Sequence, residues 1–374
     1  TRSDRDWSSD VCSSDLPIES PKKAFKTSGP KLTVSTNGDN LSASSSKVNF
    51  VFNRKTGIVT SYKVDGTEYF SEGFGIQPNF WRAPTDNDYG NGMPKRLQVW
   101  KESSKNFNVT DATVTMDGNN AVVNVNYLLP AGNLYIVNYT IYPSGAVNVA
   151  ARFTSTDMDA AQTEVSEATR TATFTPGRDA ARKEASKLNV PRIGVRFRLP
   201  ASMNQVEYFG RGPAENYLDR NAGSMVGLYK STAEELYFPY VRPQENGHHT
   251  DTRWVSLSTG KKGLLIQADN TIGFNALRNS IEDFDDEEAT GLPRQWSNFT
   301  PEQVANHDEA AAKNVLRRQH HINNITPRDF VEVCVDLKQQ GVAGYDSWGS
   351  RPEPAYTLPA NREYNWGFTL IPLK

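Results

Sequence analysis

The chain is poor in cysteine, in charge bias, in long apolar runs and in helix signals, and each shortage excludes something. Only Cys12 and Cys334 occur among 374 residues, so a disulfide framework is excluded. The 41 Lys and Arg nearly balance the 43 Asp and Glu, for a net charge of −2, which gives no electrostatic reason to expect nucleic acid or an anionic membrane as partner. No apolar run approaches the roughly 20 residues that a spanning helix needs. One short helix is predicted, from Thr300-Pro301-Glu302-Gln303 towards Ala312, because Thr caps and Pro suits the first helical position. No repeat of about 20–50 residues is visible.

What the chain does have is aromatic residues and strict alternation. There are 7 Trp, 15 Tyr and 17 Phe, rings that can pack a β-core or line a sugar site. In Arg192-Ile193-Gly194-Val195-Arg196-Phe197-Arg198-Leu199 every odd position is apolar, the mark of a half-buried strand. Val48, Phe50 and Phe52 repeat the pattern. Lys55-Thr56-Gly57 then turns the chain into Ile58–Val64, and Asp65-Gly66 turns it again. Ala121–Leu129, Leu134–Tyr142 and Ala146–Phe153 read as a meander broken at Pro130-Ala131-Gly132 and Pro143-Ser144-Gly145; Val331, Val333, Val335 and Leu337 mark a late strand. Many short strands with turn signals between them predict an all-β domain of antiparallel sheets packed face to face. Asp157 to Lys187 is polar and aperiodic and reads as a surface excursion. Thr1 to Leu16 is polar, repeats Ser-Ser-Asp, lacks a signal peptide's apolar centre and resembles a translated sequencing adaptor. The natural protein is then expected to begin upstream, with 17–30 a linker or the end of a preceding domain and 31–374 one domain.

Four segments between the strands hold the candidate site residues. The first, Asn79 to Gly92, contains Asp86, Asn87, Asp88, Tyr89, Gly90 and Asn91, a tight turn rich in acceptors or a plain connector. The second, Glu207 to Arg220, carries Arg211 and Glu215 and reads equally as an ion-paired loop. The third, Pro239 to Trp254, gathers Glu245, Asn246, His248, His249 and Arg253, suited to sugar hydroxyls or to bracing a loop; its adjacent histidines match no metal-ligand spacing. The fourth, Gly341 to Pro352, sets Asp346, Ser347 and Trp348 in a Gly-rich turn. An indole there can meet the apolar face of a sugar ring, or can plug one end of the sandwich.

Trp81-Arg82-Ala83-Pro84-Thr85-Asp86-Asn87-Asp88 resembles the opening motif of the small-chain domain of lac-operon-type β-galactosidases, glycoside hydrolase family 2. Gly210-Arg211-Gly212-Pro213 with Glu215-Asn216-Tyr217 and Asp219-Arg220 is similar to its second motif. Pro239-Tyr240, Pro243-Gln244-Glu245-Asn246-Gly247 and Arg253-Trp254 are similar to its third, and Asp346-Ser347-Trp348-Gly349 to its last. The motifs stand in the family's order and cover roughly 31–374; Ala343-Gly344-Tyr345 departs slightly from the family's usual Gly-Gly before Asp.

The resemblance implies a large antiparallel β-supersandwich similar to the galactose-mutarotase fold. It implies hydrolysis of terminal β-D-galactosides such as lactose with retention, which needs two carboxylates about 5 Å apart. In the family both are glutamates of a (β/α)₈ barrel, the acid/base one following an Asn. This sequence has no Asn-Glu dipeptide, so no catalytic residue is expected in it. The family's divalent cation, Mg or Ca, has its ligands beside that barrel, so none are expected here. The implied partners are a β-galactoside and the barrel and immunoglobulin-like domains of the same enzyme. An oligomer stays open, as does a bacterial cytoplasmic or periplasmic address. By the same resemblance Trp348, with Asp346 and Ser347, contacts sugar, and Tyr89 to Pro94 form a mobile loop at the cleft edge. Two alternatives stay open: a stand-alone aldose 1-epimerase using Glu245 with His248 or His249, and a non-catalytic carbohydrate-binding module.

Overall fold

A computed structural model describes residues 22–154, 188–285, 321–346 and 349–374. The excursion at Asp157–Lys187, the helix expected from Thr300 and the segment Thr1–Leu16 lie outside the described residues, as do Ser347 and Trp348.

The described strands form two antiparallel sheets. The smaller holds β1 (Thr33–Asn37), β2 (Asn40–Ser44), β3 (Val48–Asn53), β4 (Ile58–Val64) and β5 (Thr67–Glu68) in sequence order. The larger contains β6 (Gln77–Asn79), β7 (Asn108–Asp117), β8 (Asn120–Leu128), β9 (Leu134–Ile141), β10 (Val147–Phe153), β11 (Arg192–Pro200) and β12 (Gln205–Gly212). It is completed by β13 (Met225–Thr232), β14 (His249–Ser258), β15 (Gly263–Leu277), β16 (Phe330–Gln339) and β17 (Tyr364–Leu373). Its path runs β13-β12-β14-β15-β17-β10-β9-β8-β7, and a branch β15-β16-β11-β6 leaves it. The all-β, antiparallel expectation is met.

The turns follow from their residues. Asp65 and Gly66 both adopt positive φ, 50° and 77°, the two left-handed positions that a tight hairpin requires. Strand β8 buries every second residue as its alternation predicts. The two sheets share one core: Phe50 of β3 meets Tyr139 of β9 at 5.6 Å, and the Tyr62 hydroxyl of β4 donates to the Gly145 carbonyl at 2.6 Å. The stretch 22–30, read as a linker or domain end, lies against the sandwich. Lys23 donates its backbone N–H to Gln267 and places its ammonium 3.5 Å from the Trp254 ring centre, while Phe25 packs on Tyr142.

Two local readings change. The first motif ends in a helical turn rather than a plain loop, α1 (Asp86–Gly90), and α2 (Met93–Arg96) and α3 (Gln98–Ser103) follow it; a fourth short helix among the described residues, α4, spans Ile281–Phe284. Strand β11 is not half-buried. Its even positions Arg192, Gly194 and Arg196 are buried too, because two of them are held by carboxylates across the sheet and the third is a glycine whose missing side chain makes room.

Candidate functional site

The first motif builds its geometry from a capping box. The Asp88 N–H donates to the Thr85 hydroxyl at 3.2 Å and the Thr85 N–H donates back to Asp88 at 3.0 Å, which turns the carboxylate inward. There it meets Arg82, whose Nε and Nη2 donate to its two oxygens at 3.2 and 3.1 Å. The remaining Arg82 donors reach the carbonyls of Gln340 (2.7 Å) and Gly341 (3.0 Å), so the pair clamps the base of the fourth motif. Asp88, a candidate for the cleft, is therefore a buried brace.

Its neighbours stay near the surface and touch the other motifs. Asp86 is exposed; its N–H donates to Gln244 at 3.0 Å and its carboxylate pairs with Arg242 at 3.5 Å. The Arg242 guanidinium lies 3.8 Å from the Tyr89 ring centre. Asn87 faces Gly344, and a side chain at Gly349, where φ is +90°, would strike the backbone of Gly90 and Asn91. Asn91 also donates to the Ser350 carbonyl at 3.4 Å and receives Arg96 at 3.1 Å. The stretch from Tyr89 to Pro94, expected as a loop, closes α1 and opens α2, with left-handed Gly92 as the joint.

The second motif enters through Asp219, which accepts the backbone N–H groups of Val342 (2.9 Å) and Ala343 (2.8 Å). Glu215 gathers four donors: the Gly247 N–H at 2.7 Å, the Tyr217 hydroxyl and Arg220 at 3.3 Å each, and the Tyr240 hydroxyl. Burial first, then this carboxylate, pushes the Tyr240 hydroxyl up to about 12. All four motifs thus meet one another. Asp346 sits in an exposed turn and accepts the Ser350 N–H at 3.2 Å.

Glu245, Asn246 and His248 lie deeper. Glu245 Oε1 accepts from Arg192 (2.9 Å), Asn275 (3.0 Å) and Gln339 (2.8 Å). Asn246 holds the Phe238 N–H at 3.2 Å and, through its carbonyl, Asn275 at 2.8 Å. His248 Nδ1 lies 2.9 Å from Asn275 Oδ1 and 3.9 Å from Asp336. Burial and then the Arg192 charge hold His248 well below the usual histidine range, so it is neutral at pH 7. Burial would lower the Arg192 guanidinium, but Asp336 and Glu245 outweigh it and raise it. Asp336, fully buried, is pushed up to about 7 by burial, against the pull of Arg192. Its carboxylate approaches Arg192 Nε to 3.1 Å, yet makes no aligned hydrogen bond to any described residue. Gly194 creates the space, since a Cβ there would lie 2.1 Å from Asp336 Oδ1. A cavity of about 20 Å³ beside Arg192, Glu245 and Glu332 has room for about one water.

His249 does not face this cluster: its ring nitrogens meet the carbonyls of Gly247 (3.1 Å) and Pro213 (3.2 Å), and burial lowers it. Arg211 and Arg253 stand apart as well. Arg211 pairs with Asp251 at 2.5 Å and donates to the carbonyls of Asn221 and Ser224, while Arg253 donates to the Asp251 carbonyl. These two brace loops. Among the described residues no set of three or more His, Cys, Asp and Glu side chains gathers closely enough to hold a metal ion.

A family model described as "Beta galactosidase small chain" matches residues 44–370. The chain belongs to the β-galactosidase small-chain family. A β-galactosidase of Priestia megaterium (strain DSM 319 / IMG 1521) is 30% identical over 361 residues, covering 96% of this small chain and 29% of that protein. The small chain therefore spans less than a third of that relative's length. A β-galactosidase small subunit of Latilactobacillus sakei is 27% identical, covering 86% of this chain and 92% of that one. Among solved structures, galactose 1-epimerase from Lactobacillus acidophilus NCFM matches with a TM-score of 0.42 at 8% identity, over 91% of this chain and 97% of that one.

Several residues that organise this face were not candidates from sequence: Arg82, Asp219, Tyr240, Arg242, Gln244 and Gly341. Arg82, Asp219, Tyr240 and Gln244 lie inside the quoted motifs, so the motifs were the available signal. Their pairing across 120 to 260 positions was not.

Proposed function

We propose that the chain is the small-chain part of a lac-operon-type β-galactosidase of glycoside hydrolase family 2, which removes terminal non-reducing β-D-galactose with retention. In this reading the acid/base and nucleophile come from a barrel carried by another part of the enzyme, as do the ligands of its divalent cation. The motif face closes one side of the cleft, with the turn Asp346-Ser347-Trp348 towards the sugar. The observation that carries the reading is the contact of all four family motifs with one another, in a chain whose family match runs from 44 to 370.

The deeper cluster is a poor candidate for acid–base chemistry. Glu245 is held by three donors beside a buried Arg192, and His248 is turned into the same network. It braces the face from below.

The test is complementation with an aryl β-galactoside. The chain alone is expected to give no turnover, and mixing it with the barrel-bearing part of the same enzyme is expected to restore it. Turnover by the chain alone that disappears in Glu245→Gln or Glu215→Gln would overturn the reading.

A further inference from the structure

An open groove of about 590 Å³, within the size range of small-ligand sites, is lined by Leu218 to Ser224 with Glu215, Tyr240 and Tyr356. Its boundaries are fixed by the bonds already described. Asp219 holds residues 342 and 343, and Gly341 donates its N–H to the Tyr356 carbonyl at 2.8 Å, so two lining residues are tied to the start of the fourth motif. Arg211 braces the lining at Asn221 and Ser224 through their carbonyls.

The lining has a particular chemistry. Two tyrosines, Tyr240 and Tyr356, stand among polar groups, and Tyr356 is 37% exposed. The Tyr240 ring is tethered through its hydroxyl to Glu215, so little freedom remains to be lost on binding. The two carboxylates of the groove are engaged, Glu215 by side-chain and backbone donors and Asp219 by two N–H groups. Arg220 is half-exposed at the rim, with its guanidinium 5.2 Å from the Tyr217 ring centre. A cationic ligand would find both carboxylates already satisfied. An anion would meet Arg220 but also two negative charges. A neutral polyol with an apolar ring face matches best, meeting the rings with that face and Arg220 and Asn221 with its hydroxyls.

We infer that this groove is a second carbohydrate site, which takes one or two neutral hexose units of a galactoside beyond the sugar at the Asp346 turn. It rests on the proposed function only in taking the ligand to be a galactoside, and binding here does not require hydrolysis.

The test uses the chain without its barrel partner, so failure to hydrolyse does not bear on it. Lactose and a galactosyl-lactose trisaccharide are titrated by calorimetry and by ligand-observed NMR. The expected result is saturable binding, tighter for the trisaccharide, weakened about tenfold by Tyr356→Ala and weakened by Arg220→Ala. Arg54→Ala, an exposed change beside the smaller sheet and outside the groove lining, should leave lactose binding within about twofold. Tyr356→Phe should retain binding, because the ring face supplies the contact. Circular dichroism melts identify any variant that fails to fold, and Tyr356→Phe then serves against lactose-saturation shifts of the wild type. No binding at 50-fold the concentration of protein up to about 50 mM sugar, a magnitude well above ordinary weak binding, overturns the inference. So does binding that Tyr356→Ala leaves unchanged, binding lost only in Trp348→Ala, or protection of the groove by the barrel-bearing chain in place of sugar.

Discussion

Asp219 accepts the consecutive backbone N–H groups of Val342 and Ala343, so one carboxylate on the loop after β12 fixes the start of a turn 123 residues later in the chain. Gly341 cannot carry a side chain there, since a Cβ would lie 2.3 Å from the same carboxylate. Hydrogen bonds to a charged acceptor contribute about 1.5–3 kcal/mol each. Asp219→Ala should therefore lower stability by about 2 kcal/mol and, in the complemented enzyme, lower kcat/KM more than a distant substitution of equal stability cost. Urea unfolding and steady-state kinetics measured together check this. Unchanged kinetics per folded molecule would separate Asp219 from the cleft.

Arg82 and Asp88 should behave as fold determinants. Both are buried, and removing one leaves the other's charge without its partner, a change that typically costs about 3–5 kcal/mol. Asp88→Ala should also free the carbonyls of Gln340 and Gly341 from a well-placed guanidinium. Thermal melts should show a loss of that size for Asp88→Ala and under about 0.5 kcal/mol for exposed Asp86→Ala, the ordinary cost of a surface change.

Stability should depend on pH through Asp336 and His248 with opposite signs. Asp336 has its folded-state pKa raised to about 7, from an ordinary carboxylate value near 3.8. The folded state thus holds this proton more tightly, and the stabilisation is complete below about pH 4 and lost as pH rises towards 7. His248 is lowered, so its contribution is present above about pH 6.5 and lost as pH falls below that. Asp336→Asn removes the first effect alone. The difference in melting temperature between the variant and the wild type should shift in the variant's favour from pH 5 to pH 8. A difference that stays flat across that range would show that Asp336 does not titrate there.

The sheets were legible because their signals are local. Phe50 and Phe52 in β3, and the alternation of β8, specify a buried face from a few residues. The Asp65-Gly66 turn is legible for the same reason. Arg192 was misread because alternation assigns its side to solvent, whereas Asp336 and Glu245 arrive from β16 and the third motif to hold it. The helical turn at Asp86 was misread as a loop because Asp and Asn favour turns, and only the reciprocal Thr85–Asp88 bonds make a helix start of them. The motifs marked segments that touch one another in the fold. Which of their side chains brace that junction, as Asp88 does, and which line it depends on partners that no local pattern contains.

Trp348 offers the sharpest separation between bracing and binding. The described residues before and after it include Gly344 and Gly349, at φ of +100° and +90°, and Gly349 packs on Gly90 and Asn91 of the first motif. Described residues on both sides of Trp348 therefore belong to the convergent face, which is the basis for proposing that its indole meets sugar in the complete enzyme. Loss of such a stacking contact is expected to cost about 1–3 kcal/mol in transition-state binding, roughly a ten- to hundredfold fall in kcat/KM. A core tryptophan would cost about 3–5 kcal/mol of stability on truncation instead. Trp348→Ala should leave the melt of the chain nearly unchanged and lower kcat/KM of the complemented enzyme by that factor, with Trp348→Phe recovering most of it. A melt lowered by many degrees with normal kinetics per folded molecule would make Trp348 a packing residue and would remove the fourth motif's proposed contact with substrate.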